Sequence, residues 1–311
     1  MLLSGCVDKP LPPVSFEPPA QIIDYQNEVR PILVKRCVVC HSCYNSPCQL
    51  KLSSFEGLDR GATKQAVYNS SRLKTMEPTR LFMDAETTDG WRKKGFHSVT
   101  VNSVESCGEK SFGSCSENNS IMMQLLSHKN SHPMQDKDSF NSEADDLTCA
   151  ESDAKLGSFL RKHPNRGMPF GFPPLSQEDF EKVAGWLAQG AKGPGSEELA
   201  RIMAIPQNDQ REIQIWEDFL NNDAAKYVMT ARYLYEHLFL AHITFETGSG
   251  IFYELVRSRT APGQKIKVIP TVRPYDDPGD GHFYYRFRKI HSTLVHKTHM
   301  VFPLSREMLA R

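Results

Sequence analysis

Cys37-Val38-Val39-Cys40-His41 constrains this chain more than any other stretch. Cys-x-x-Cys-His is the attachment pattern of c-type haem, and the spacing has a chemical reason. Two thiols so placed can each form a thioether to one haem vinyl group, and the residue that follows then lies under the iron, where its imidazole is a strong axial ligand. A bare Cys-x-x-Cys would suit a redox dithiol or half a zinc site. The adjacent His41 favours one covalently bound haem c, with thioethers from Cys37 and Cys40 and His41 as an axial iron ligand. Cys37, Cys40, Cys43 and Cys48 also approach a bacterial iron–sulfur run, but that run needs three residues before its last cysteine and a proline after it. Here Tyr44 to Pro47 intervene and Gln49 follows. Cys43 and Cys48 read as a local disulfide, or as two unpaired thiols.

A second signal lies at Gly167-Met168-Pro169-Phe170-Gly171-Phe172-Pro173-Pro174-Leu175. Proline and compact turns limit the conformations from which the Met168 thioether must find an iron, and small c-type cytochromes often close with such a loop and a terminal helix. The helix is announced by Ser176 as N-cap with Asp179 three residues on. Phe180, Val183, Ala184 and Leu187 then form one apolar face, and Gly190 ends it. This helix is expected to pack across the one that delivers Cys37. Met168 is the second axial ligand on this reading. Methionine is ordinarily a core filler, and His163, five residues earlier, is the strongest rival.

The chain has 311 residues, enough for two domains, with 37 Lys plus Arg against 37 Asp plus Glu. Nothing in that balance suggests a nucleic-acid partner, and no basic run suggests capture by anionic lipid. No stretch approaches the ~20 apolar residues of a spanning helix. Covalent haem c implies the exported side of a bacterial membrane, where disulfides persist. Of the eight cysteines, Cys107 and Cys115 flank a Gly/Ser-rich loop and could pair, leaving Cys149 without an obvious partner. Leu3-Ser4-Gly5-Cys6 is similar to a lipoprotein cleavage box, and the Pro-rich run from Pro10 to Pro19 would serve as a tether. A signal peptide needs an apolar stretch of ~7–15 residues, so a clipped lipoprotein signal is favoured over a chance cysteine.

Asp24 is the expected cap of a helix through Tyr25, Val29, Ile32, Leu33 and Arg36, which Pro31 either kinks or restarts. A long, largely irregular insertion follows, about 49–160, with short helices near Thr63 to Tyr68 and Ile121 to Leu126. Gly193-Pro194-Gly195 marks a boundary. The domains expected are 1–23 (signal and tether), 24–193 (a mainly α, c-type cytochrome-like haem domain with the insertion) and 196–311 (α+β, the start of a longer region). The last comprises helices about Gln210 to Leu220 and Ala224 to Phe245, then antiparallel strands at Ile251 to Thr260, Lys265 to Val272 and His282 to Ile290. The chain stops soon after Ser305, as another helix begins, which predicts the N-terminal part of a longer protein. Leu234 to Leu240 is apolar around most of the helix, as in a buried central helix or one entering the lipid interface.

His237, His242, His291, His296 and His299 read as structural or surface residues. His237 and His242, five residues apart, would stand ~140° apart on one helix and cannot share a metal from one face. His291, His296 and His299 have no carboxylate partner in sequence, and His128 and His132 lie within the insertion. No Gly-x-Gly-x-x-Gly and no Walker loop is present, so neither NAD nor ATP is expected.

Several stretches together carry a family resemblance. Cys37-Val38-Val39-Cys40-His41-Ser42-Cys43-Tyr44 continues into Pro47-Cys48-Gln49-Leu50, and Pro78-Thr79-Arg80-Leu81-Phe82 and Trp91-Arg92-Lys93-Lys94-Gly95-Phe96 follow. His163-Pro164 with Gly167-Met168-Pro169, and Arg232-Tyr233-Leu234-Tyr235-Glu236-His237-Leu238-Phe239-Leu240-Ala241-His242, complete the set. From about Asp24 on, the chain resembles the bacterial fatty acid cis/trans isomerases, whose members are considerably longer. The resemblance implies a periplasmic haem enzyme that turns cis double bonds of membrane phospholipid acyl chains to trans in place, redox-neutral, without NAD or ATP. A haem iron that transiently withdraws an electron would weaken the π bond enough for rotation. The rival readings are an electron-transfer cytochrome, which leaves the last third unexplained, and a peroxidase-like enzyme, which usually carries two Cys-x-x-Cys-His motifs.

Overall fold

The computed structural model describes residues 11–67, 77–100, 119–133, 149–150 and 152–310. The chain divides into two compact units, Met1–Leu81 with Ala85–Pro194 and Phe82–Asp84 with Gly195–Arg311. Cys6, Cys107 and Cys115 lie outside the described residues.

The first unit is helical. Asp24 caps a π-helical turn, Tyr25–Val29, by accepting from the Asn27 amide at 2.7 Å, while Glu28 accepts from the Asp24 amide at 2.8 Å. Helix α1, Arg30–Arg36, then starts afresh with Pro31 in its first turn, where a missing N–H goes unmissed. Of Pro31's two expected outcomes, the restart is the one found. Tyr25, Val29, Ile32 and Leu33 are all buried. Helices α2 (Phe55–Arg60), α3 (Thr88–Lys93), α4 (Ile121–Ser131) and α5 (Asp153–Lys162) follow. α4 contains the short helix expected at Ile121 to Leu126 and extends it, whereas α2, α3 and α5 fall in stretches expected to be irregular.

The helix expected near Thr63 to Tyr68 is not found among the described residues, which stop at Val67 before Tyr68. Ala62 instead bridges His97 with paired backbone bonds of 3.0 and 2.9 Å, and residues 63–67 are non-helical. Arg60 fixes this region. Its buried guanidinium lies over the Trp91 and Phe96 rings at 5.2 and 4.7 Å and donates to the carbonyls of Thr79, at 2.8 Å, and Gln49. Burial pushes its pKa down to about 10, so it remains a cation at neutral pH.

Helix α6, Gln177–Ala188, closes the unit. Ser176 caps it through the Asp179 amide at 3.1 Å, and Phe180, Val183, Ala184 and Leu187 are buried as their spacing predicts. Gly190 ends it at φ 89°, the left-handed conformation that glycine adopts without strain. The α6 face packs on the π-helical turn, with the Trp186 and Tyr25 rings 5.6 Å apart.

The second unit is α+β. Helices α7 (Ser196–Met203), α8 (Gln207–Leu220) and α9 (Ala225–Leu238) precede strands β1 (His242–Phe245), β2 (Tyr253–Ser258), β3 (Tyr284–Lys289) and β4 (Val301–Leu304). The sheet order is β3-β2-β1-β4. Trp216, Leu220, Tyr235 and Leu238 from α8 and α9 share a core with Ile243, Phe245, Tyr253, Leu255 and Phe287 from the sheet.

Three expectations fail here. The helix thought to run to Phe245 stops at Leu238, because the apolar period drops to two, with Ile243 and Phe245 buried and His242 and Thr244 half-buried. The expected strand from Lys265 to Val272 contributes a single bridge, Val268 to Ser258, before Pro270. The sheet is mixed rather than antiparallel: β4 returns beside β1 in parallel, with Ile243 opposite Phe302. Such a pairing needs a long connection, and the whole β2–β3 hairpin supplies it.

Buried charge holds α8 to the sheet. Glu217 accepts from Arg286 Nε with both oxygens at 3.0 Å and from the Phe287 amide at 3.0 Å. Asp209, fully buried, accepts from the Ser249 amide and hydroxyl at 2.7 Å each and from the Tyr253 hydroxyl at 2.6 Å.

Candidate functional site

Cys37 is the C-cap of α1, its amide bonded to the Leu33 carbonyl at 2.9 Å. The chain then tightens, with the amides of Cys40 and His41 both donating to the Cys37 carbonyl, at 3.1 and 3.0 Å. That turn brings Cys37, Cys40 and His41 to one wall of an apolar cavity of about 200 Å3. Leu50 and Leu52 continue this wall. Ile121, Met122, Leu125 and Leu126 of α4, Leu156 and Phe159 of α5, and Met168, Pro169, Phe170 and Phe172 complete it.

The His41 ring is oriented. Nδ1 lies 3.2 Å from the Leu50 carbonyl and donates to it, which leaves Nε2 as the nitrogen with a lone pair. Desolvation pushes its pKa down to about 4, so the imidazole is neutral at physiological pH. Cys37 and Cys40 are free thiols, and burial pushes that of Cys37 up to about 12. Among the described residues, no three His, Cys, Asp or Glu side chains gather as they would around a metal ion.

Met168 reaches the cavity because its loop is tied at both ends. Its amide donates to the Leu125 carbonyl of α4 at 3.1 Å. Beyond it, Arg36 donates to the Pro173 and Pro174 carbonyls at 2.8 and 3.1 Å, fastening the loop to the residue before Cys37. Gly167 lies flat on α4: a Cβ there would stand 2.7 Å from the Lys129 amide nitrogen and 2.8 Å from its Cα. Gly167→Ala is therefore expected to cost about 1–3 kcal/mol of stability by forcing the Met168 loop off α4. A urea denaturation midpoint unchanged from the parent would show that the loop has room to spare.

His163, the rival to Met168, does not line the cavity; its ring rests on Phe159, 5.1 Å between centroids. His97, which sequence reasoning passed over, does line it, brought there by the Ala62 bridge. Burial, and next the nearby Arg92, hold its pKa below the usual histidine value. Only the pairing partner 35 residues upstream, invisible to periodicity, could have identified it.

The expected Cys43–Cys48 disulfide is not formed. Cys48 is bonded to Cys149, across a separation of 101 residues, and Cys43 is free. Cys48 sits at φ 56° in the Pro47–Gln49 turn, which directs it to the cavity wall where Cys149 also lies.

Away from the cavity, His128 and His132 stack face to face at 4.0 Å. His237 lies in the last turn of α9, its Nδ1 2.7 Å from the Tyr233 carbonyl, while His242 stands on β1 with Nδ1 2.8 Å from that of His299. The two were expected to share a helix and do not. His291 rests edge-on against Phe82. No helix among the described residues is long and apolar enough to cross a membrane.

A family model described as fatty acid cis/trans isomerase (CTI) matches residues 76–311. It takes in Met168 and the whole of the second unit and begins after the Cys37–His41 motif. No curated protein and no solved structure matches the chain.

Proposed function

We propose, for a chain that belongs to the fatty acid cis/trans isomerase family, that this isomerase acts with a covalent haem c on cis-unsaturated acyl chains of membrane phospholipids, outside the cytoplasm. The observation that carries this reading is the meeting of Cys37, Cys40, His41 and Met168 on one apolar cavity. The donor set fits the group: two unpaired thiols at thioether spacing, an imidazole whose Nε2 makes no hydrogen bond among the described residues, and a thioether sulfur. Bound there, a haem supplies reversible one-electron chemistry beside an alkene.

The protein's own residues do the rest. The Leu50 carbonyl fixes the His41 tautomer, as outer partners of iron-binding imidazoles do. Arg36 holds the Met168 loop to α1. Leucine and phenylalanine side chains around the cavity exclude water and suit a hydrocarbon chain. Phe172 lines the cavity yet is exposed, as is Val39 beside Cys40, so the site reaches solvent through an apolar rim suited to a lipid surface. The Cys48–Cys149 bond is at home in an oxidising compartment, in keeping with a periplasmic location and with lipidation at Cys6.

The test is the fatty-acid profile of cells exporting the full-length protein. Trans acids are expected to rise as their cis partners fall, with total unsaturation constant, and the Cys37→Ala/Cys40→Ala double variant should leave the profile unchanged. A fall in total unsaturation, or equal conversion by the double variant, would refute the reading.

A further inference from the structure

Arg257 stands on β2 in the second unit with 5% of its surface exposed, yet meets no carboxylate among the described residues. One terminal nitrogen donates to Thr271 Oγ1 at 2.8 Å, the guanidinium lies over the Tyr235 and Phe283 rings at 4.9 and 5.8 Å, and Nε is buried without a hydrogen-bond partner. A guanidinium cannot shed its charge as a buried lysine can. Left without a counter-ion it is costly, and unlike Arg60, whose guanidinium is closed in by the Thr79 and Gln49 carbonyls, Arg257 borders an open cavity from which an anion could meet it. Arg257 also lines a cavity of about 370 Å3 with Tyr235 and Tyr285, within the ~300–1,000 Å3 of ligand sites.

The lining also carries three carboxylates and a second cation, Arg232. Asp276 and Asp277 face the same cavity, each using one oxygen to hold a turn, from the Arg273 amide and the Gly279 amide respectively, both at 2.8 Å. Glu236 also lines it, paired with Arg232 at 2.8 Å. A purely anionic ligand would meet Arg257 but be repelled by these carboxylates. A ligand with a phosphodiester and an ammonium a few bonds apart satisfies both, and the tyrosine faces suit an ammonium as well.

We propose that this cavity binds the phosphoethanolamine headgroup of a zwitterionic phospholipid, phosphate on Arg257 and ammonium towards Asp276 and Asp277. The proposal rests on the reading of the substrate as membrane phospholipid and names which headgroup is held.

The full-length protein is titrated with soluble glycerophosphoethanolamine, with glycerophosphoglycerol and inorganic phosphate as controls, following binding and melting temperature. Glycerophosphoethanolamine is expected to bind and raise the melting temperature, and the controls to bind about tenfold more weakly. Arg257→Met is expected to weaken binding about tenfold to a hundredfold, the worth of a charge-assisted hydrogen bond or two. The free Arg257→Met protein should melt at a higher temperature than the parent, because an unpaired buried charge has gone; a merely structural arginine would leave it less stable. Asp276→Asn with Asp277→Asn keeps the turn acceptors and should abolish the preference over glycerophosphoglycerol while phosphate still binds. Equal binding of the three ligands, no binding, or a destabilised Arg257→Met protein that still binds would overturn the site. Trans acid formed in vesicles with no headgroup preference would also overturn it while leaving the isomerase reading intact, and binding without isomerisation would do the reverse.

Discussion

Full-length protein with Cys149 changed to serine is expected to unfold about 4–5 kcal/mol more easily than the parent. The bond from Cys48 closes 101 residues, and cross-linking a loop of about that size removes roughly 4.7 kcal/mol of unfolded-state entropy. The bond also holds the Pro47–Gln49 turn, and with it Leu50, against the α4–α5 wall, where Cys48 packs with Ile121, Ala150 and Leu156. Cys48→Ser should cost as much as Cys149→Ser, and the double variant no more than either, because one bond is lost in all three. Cys43→Ser should change stability by less than about 0.5 kcal/mol, as surface changes away from special features do. Urea midpoints under non-reducing conditions measure all four. A large loss from Cys43→Ser with none from Cys149→Ser would restore the local pairing that the sequence alone suggests.

His41→Ala is expected to lower isomerisation on the order of a hundredfold or more. Changing an outer partner of a metal-binding histidine already costs 10–100-fold, and His41 is the ligand itself on this account. The cavity should survive, because Leu50, Leu52 and the α4 and α5 side chains form most of it. Cys37 and Cys40 are untouched, so haem content per chain should stay at one while the low-spin absorption spectrum is lost. That combination separates loss of a ligand from failure to fold. Full activity in His41→Ala with a normal spectrum would exclude the histidine as ligand.

The legible parts of the fold are those whose determinants are local. Ser176, Asp179 and the apolar set from Phe180 to Leu187 describe α6 completely, because cap and face lie within one helix. The Met168 loop was legible for the same reason: glycine and proline punctuate it. The β1 strand was hidden because Leu238-Phe239-Leu240 continues the apolar density of α9 into residues that change period only at His242. Parallel pairing with β4 depends on a partner 59 residues on, from His242 to Val301, which no short window contains.

Buried acids on α8 were equally out of reach. Asp209, Glu212 and Glu217 look like a solvated face until Tyr253, Arg306 and Arg286 arrive from 44 to 94 residues away. Around the cavity, the Cys37, Cys40 and His41 triplet announces itself by spacing, whereas Cys149 and His97 join it only through long-range contacts. The resemblance read from Asp24 onward and the family match from residue 76 agree over most of the chain.

The central claim is tested most directly by vesicles of cis-unsaturated phosphatidylethanolamine incubated with purified, haem-loaded, full-length protein and neither NAD nor ATP. The account predicts that esterified trans acyl chains appear as cis chains disappear, one for one, and that His41→Ala slows the change about a hundredfold or more. Loss of double bonds, release of free fatty acid or a strict requirement for peroxide would contradict it.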